Sequence, residues 1–218
     1  RNSPQMLKAY TWRMKYRETL TPDSFYVSLK GLEQWAETTD KPMDRAVLNS
    51  LIAGIYADYA SSNRWQIRQR TNIVDEAPSS DIREWSSNMF VQQVMKYTAG
   101  SLQDTGLLLN TSSRIYIPFV KLGDTSEYYH HDMLHLLGSR GVDALNNVMG
   151  LDKDSVVQTS VENVYLGMLD AYEKAGMDDG YVLCKLDYLN WKRNSDPTFV
   201  PYRAPQNLIG LTQDPYLA

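Results

Sequence analysis

Asp40-Lys41-Pro42-Met43-Asp44-Arg45-Ala46-Val47-Leu48-Asn49-Ser50-Leu51-Ile52-Ala53-Gly54-Ile55-Tyr56-Ala57-Asp58-Tyr59 is the stretch whose reading decides the fold. Val47, Leu48, Leu51, Ile52, Ile55, Tyr56 and Tyr59 recur at three- and four-residue spacing, which is the period of a helix and not of a strand. The apolar stripe is wide, so the helix is expected at the centre of a core, not at its edge. Its pattern can run on through Trp65 and Ile67.

Working outward, most of the chain reads the same way. Ser3-Pro4 and Thr21-Pro22 each place a capping side chain before a proline at the first helical position. The second leads into the stripe Phe25, Leu29, Leu32 and Ala36. Ala77-Pro78-Ser79-Ser80 breaks the pattern, and Ser80 is expected to cap a helix carrying Ile82, Trp85, Met89 and Val94 and ending near Gly100. Helical pattern returns at Thr125, stops at Gly138 and resumes from Val142 to Gly150. Asp154 or Ser155 opens a long helix with Val157, Val161, Val164, Tyr165, Met168 and Tyr172 on one stripe, ended by Gly176. A last helix covers about Asp179 to Lys192. Between these, Leu107-Leu108-Leu109 and Arg114-Ile115-Tyr116-Ile117-Pro118-Phe119-Val120 read as short extended pieces around a polar turn. The expectation is a mainly α-helical single domain of about seven helices over residues 1–195, with an irregular extended insert near 107–122.

Residues 196–218 form an extended C-terminal arm in this reading. Pro197, Pro201, Pro205 and Pro215 forbid a helix, while Phe199, Val200, Tyr202, Leu208, Ile209, Leu211, Tyr216 and Leu217 are too apolar for a free linker. The arm is therefore expected to pack on its own domain or on a neighbouring subunit.

Composition bounds the function. The chain has 218 residues, 43% hydrophobic and 22% charged, which suits one globular core. No stretch approaches the ~20 apolar residues of a membrane span. The single cysteine, Cys184, sits in an apolar run, so the fold does not depend on an intrachain disulfide or an oxidising compartment. An intracellular or virion setting is expected.

A net charge of -4 argues against a generally basic nucleic-acid binder. The charge is unevenly placed, however. Arg13, Lys15 and Arg17 alternate with Trp12 and Tyr16, while Arg64, Arg68 and Arg70 fall in a stretch without acids. Asp152, Asp154, Asp170, Glu173, Asp178, Asp179 and Asp187 crowd the second half. Cations beside rings suit an RNA or DNA backbone, with phosphates on the cations and bases on the rings. A plainer reading makes these solvated faces whose Trp12, Tyr16 and Trp65 anchor the core.

All three histidines lie in Tyr128-Tyr129-His130-His131-Asp132-Met133-Leu134-His135. On a helix, His131 and His135 share a face, the spacing of a two-histidine pincer for zinc or iron. A third ligand would have to come from Glu127, Asp124, Asp132, Asp143 or a more distant carboxylate, with Asp132 or Glu127 polarising bound water. The plainer reading is a polar helix face. The pentapeptide from His131 to His135 resembles the His-Asp-x-x-His metal motif of a ubiquinone-biosynthesis family. That likeness runs through Leu136-Leu137-Gly138, and where the motif continues with a glutamate this chain has Asn147.

No phosphate loop, nucleophile elbow or Cys-x-x-Cys pair is present. The leading expectation is a non-enzymatic, self-assembling structural subunit of the coat or nucleocapsid type, with no cofactor. Its partners would be other copies of itself and a nucleic-acid backbone at Arg13, Lys15, Arg17, Arg64, Arg68 and Arg70. A metal-dependent enzyme at His131 and His135, and a monomeric helical adaptor with the arm folded back, are the alternatives.

Overall fold

In a computed structural model, residues 3–20, 25–70, 81–116, 132–196 and 198–200 are described. They form α1 (Ser3–Leu20), α2 (Phe25–Thr38), α3 (Pro42–Ser62), α4 (Arg64–Arg68), α5 (Ser87–Ser101), α6 (Thr105–Leu109), α7 (Met133–Asn147), α8 (Asp154–Ala175) and α9 (Asp178–Ser195). The protein is mainly α-helical. Among the described residues the β pairing is a single bridge between Ser112 and Asp132.

The wide stripe of α3 has the expected consequence. Val47, Leu48, Ile52, Ala53, Tyr56, Ala57 and Ala60 are all buried, so this helix is covered on several sides. It packs against α5, α7 and α2, α7 packs on α8, and α8 on α9. One apolar core runs from Leu7 to Cys184 and centres on residues such as Leu48, Ile52, Phe90, Val94, Leu134 and Val161. Among the described residues no helix is long and apolar enough to cross a membrane.

Several boundaries differ from the sequence reading, each for a local reason. Nine helices replace the expected seven or so among the described residues, because two single-turn helices, α4 and α6, are added. Helix α3 does not run on through Trp65: Asn63 leaves helical geometry (φ -110°, ψ 18°) and its side-chain amide donates to the Tyr59 carbonyl at 2.9 Å. Leu107-Leu108-Leu109 is helical rather than extended. Asp104 Oδ1 accepts the Leu107 N–H at 3.0 Å and starts the turn, and three consecutive leucines carry no period against it. Ser113–Tyr116 is a 3-10 turn, so the described part of the insert is not extended, and residues 117–122 lie outside the described residues.

Helix α7 runs through Gly138 without stopping. A Cβ on Gly138 would lie 2.2 Å from Met168 Sδ, and one on Gly141 would lie 2.7 Å from Thr98 Cγ2. Both glycines let neighbouring helices approach and do not break their own. Likewise α5 starts only at Ser87. Asp81 caps a separate 3-10 turn, Ile82–Glu84, and Trp85 is extended, although Ile82 and Trp85 still enter the core.

Gly176 ends α8 in the left-handed conformation (φ 65°), with its N–H and that of Met177 closing onto Glu173 and Tyr172 carbonyls. At the start of the proline-spaced arm, Thr198 and Phe199 N–H groups bond back to Asp196, and Phe199 packs on Val182 and Leu189 of α9. Residues 201–218 lie outside the described residues.

Candidate functional site

The six basic residues singled out in the sequence fall into two groups with different surroundings. On α1, Leu7 and Met14 are buried, and the half-buried Tyr10 packs on Trp35 and donates its hydroxyl to the Ser28 carbonyl at 3.1 Å. Trp12, Tyr16 and Leu20, four apart and so on one face, lie on the opposite side. Trp12 is 49%, Tyr16 63% and Leu20 83% exposed, and the Trp12 and Tyr16 rings stack at 5.8 Å. Lys15 lies 5.8 Å from the Trp12 ring and Arg13 4.9 Å from the Tyr10 ring. Trp12 and Tyr16 therefore do not anchor the core. They form an aromatic ridge flanked by cations.

Between α1 and α3 runs an open trough of about 530 Å³, with Met14, Leu51, Ile55 and Tyr59 on its walls and Lys15, Asp58 and Asn63 at its edges. It brings Lys15 close to the start of α4. There the second group is divided. Trp65 is 73% exposed and Arg68 is exposed. Arg64 instead donates to the Asn147 carbonyl at 2.7 Å and to the Met149 carbonyl. It caps the C-terminal end of α7, where unpaired carbonyls favour a cation. Arg70 donates to the Trp85 carbonyl at 2.9 Å. Arg64 and Arg70 are thus tied to backbone carbonyls, and Arg13, Lys15, Arg17 and Arg68 are exposed.

Of the histidine cluster, His130 and His131 lie outside the described residues, as do Glu127 and Asp124. His135 is in the first turn of α7 and buried. Its Nε2 lies 3.1 Å from Asp187 Oδ2 on α9. Asp132 is the N-cap, accepting the His135 N–H at 2.8 Å. Both of its oxygens also accept the Tyr172 hydroxyl, at 2.9 and 3.0 Å. Burial, then the Asp132 charge, pushes the Tyr172 phenol far above its usual range, so it remains a donor. Asp132, proposed from sequence to polarise water, is held as a cap. Among the described residues no three His, Cys, Asp or Glu side chains converge on a metal-sized site.

Cys184 is fully buried beside this network, its thiol pushed up to about 12, mainly by burial. An inert packed thiol follows, not a nucleophile.

The sequence also concealed two carboxylate ties. Glu33 accepts the Tyr56 hydroxyl at 2.7 Å and the Tyr97 hydroxyl at 2.8 Å, joining α2, α3 and α5. Glu162 accepts Tyr188 and Lys192, both at 2.7 Å, joining α8 to α9. Much of the high tyrosine content therefore serves internal helix contacts. The acids of the second half do include an exposed group at the α8–α9 turn: Asp170, Glu173, Asp178 and Asp179, around Met177 at 38% exposure. Asp170 is paired to Lys174 at 2.7 Å.

Comparison of the chain with known protein families, with curated proteins and with solved structures finds no match.

Proposed function

We propose that the protein is a non-enzymatic, self-assembling structural subunit of the coat or nucleocapsid type. The observation that carries this reading is the α1 ridge: Trp12, Tyr16 and Leu20 exposed in line and flanked by Lys15 and Arg13. Large aromatics with apolar bodies and polar tips are enriched where proteins meet. Each half-exposed ring presents roughly 100 Å² of surface, about 2.5 kcal/mol of transfer free energy if covered, before association costs. The α1 cations Arg13, Lys15 and Arg17 meet either the acidic α8–α9 turn of another copy, which has the complementary charge, or, together with Arg68, a nucleic-acid backbone. Of the arm, residues 196–218, the start through Phe199 packs on α9 of its own chain, and the apolar remainder from residue 201 is assigned to an adjacent copy on its sequence.

The double variant Trp12→Ser, Tyr16→Ser tests the reading. Both side chains are largely solvated in the single chain, so the fold and its thermal stability should change little. Sedimentation velocity should shift from an assembled species to a monomer. An unchanged sedimentation profile removes the ridge from any role in assembly.

A second reading, a metal-dependent enzyme, is favoured by one observation. His135 is buried with its Nε2 against the Asp187 carboxylate, the arrangement by which an outer carboxylate orients a ligating imidazole. Zinc or iron would then be held by His135 and His131. Elemental analysis of the purified protein decides it: stoichiometric metal lost in the His131→Ala, His135→Ala variant supports it, and metal-free protein removes it.

A further inference from the structure

A cleft of about 340 Å³ opens where α2, α3 and α5 meet. Its floor is apolar and aromatic. Leu29, Tyr56, Ile82 and Trp85 are all buried, and the Trp85 ring stacks on Tyr56 at 5.3 Å. Its rim carries charge of both signs: Lys30 and Glu37 on α2 and Lys96 on α5, all exposed. None of the residues assigned to assembly is among its described lining.

Glu33 sets the chemistry of this cleft. It is half-buried, and its Oε1 accepts both the Tyr56 hydroxyl at 2.7 Å and the Tyr97 hydroxyl at 2.8 Å. Burial, then the bond to Glu33, pushes both phenols above their usual range, so they stay donors and hold the carboxylate in one orientation. The other oxygen, Oε2, has no hydrogen bond among the described residues, yet it is not a buried orphan: solvent reaches it. A tie between helices needs only the bonded oxygen. The open one is a preorganised acceptor beside aromatic rings, the setting in which proteins take an ammonium group. The lysines add the opposite sign. Lys96 Nζ stands 4.9 Å from the Tyr97 ring, and among the described residues no ion pair joins Lys30 or Lys96 to Glu33 or Glu37. Ammonium and carboxylate groups thus border one cleft without neutralising each other by contact.

We infer that this cleft binds a free aromatic α-amino acid, its ammonium on Glu33 Oε2, its carboxylate towards Lys96 and its ring on the Tyr56–Trp85 floor. Charge selects the class. A cation alone would face Lys30 and Lys96, and an anion alone would face Glu33 and Glu37, whereas a zwitterion meets a partner for each charge. Size follows from the volume. An apolar cavity of about 150 Å³ takes benzene, so this one suits on the order of twelve to fifteen non-hydrogen atoms, the range from phenylalanine to tryptophan.

The test is isothermal titration calorimetry of the full chain with L-tryptophan, with tryptamine as the analogue lacking the carboxylate and indole-3-propionate as the one lacking the ammonium. Saturable one-site binding of L-tryptophan is expected, with each analogue at least about tenfold weaker. Glu33→Gln keeps an oxygen for both phenols and removes the charge. It should weaken L-tryptophan at least about tenfold and leave indole-3-propionate no weaker. Lys30→Met combined with Lys96→Met alters only exposed side chains, so folding is not at stake. It should weaken L-tryptophan about fivefold or more while leaving tryptamine binding in place. Absence of saturable L-tryptophan binding overturns the inference. So does either analogue binding as tightly as L-tryptophan, or wild-type affinity in the lysine double variant or in a folded Glu33→Gln chain.

Discussion

Removing the Tyr172 hydroxyl tests the network at the start of α7. Tyr172 is fully buried and Asp132 is 8% exposed, with both carboxylate oxygens at 2.9–3.0 Å from the phenol. Tyr172→Phe deletes a hydrogen bond to a charged acceptor, about 2 kcal/mol, and leaves the carboxylate with its bond from the His135 N–H. Asp132→Ala deletes the same bond, orphans the phenol and removes the helix cap, about 3–4 kcal/mol together. In the double variant no phenol is orphaned, so its cost should not exceed that of Asp132→Ala alone. The coupling free energy is then about 2 kcal/mol. Urea unfolding followed by far-ultraviolet circular dichroism measures all four corners of the cycle. For a chain of this length the Tyr172→Phe change should also lower Tm by about 4–8 °C. Additivity of the two changes within about 0.5 kcal/mol would refute the reasoning, because residues that share no interaction add in that way.

Further outcomes follow from other named contacts. Arg64→Ala should cost about 1–2 kcal/mol in thermal unfolding, since two carbonyls at the end of α7 lose their donor, while Arg68→Ala should stay within about 0.5 kcal/mol. Alkaline pH should unfold the protein cooperatively. Tyr56, Tyr97, Tyr116, Tyr165, Tyr172 and Tyr188 are all pushed up, first by burial, whereas in the unfolded chain they ionise near pH 10. Their contribution is fully present below about pH 10 and is lost as pH rises further, because the unfolded chain then releases protons that the folded one retains. Titration at 295 nm should show these tyrosines ionising at higher pH than the exposed ones, the most buried in step with unfolding. Gly167→Ala should stabilise the chain by about 0.5–1 kcal/mol, read as a rise in Tm of a few degrees, since the added Cβ meets nothing.

The helical class and the central place of α3 are legible because Val47 to Tyr59 repeats one period over about three and a half turns, longer than any local ambiguity. Glycine was harder to read. Gly176 does end a helix, in the left-handed conformation, but Gly138 sits inside one, and the difference is the Met168 side chain packed against it. That contact spans thirty residues of sequence and no local pattern carries it. The leucine run at 107–109 is helical where its sequence suggests a strand, because three apolar residues fit either equally well. Site partners were hidden for the same reason. Arg64 finds its carbonyls 83 and 85 residues away, and His135 finds Asp187 52 residues away. The α1 ridge was legible as an alternation of rings and cations, but the sequence left open whether Trp12 and Tyr16 face the core. Their direction is set by Leu7, Tyr10 and Met14, which take the inward side.

Whether the chain assembles is read from sedimentation velocity of the natively purified protein at 260 and 280 nm. A self-assembling subunit sediments well above the monomer, with excess absorbance at 260 nm where the α1 cations hold a nucleic acid. A monomer with the absorbance of protein alone would contradict self-assembly.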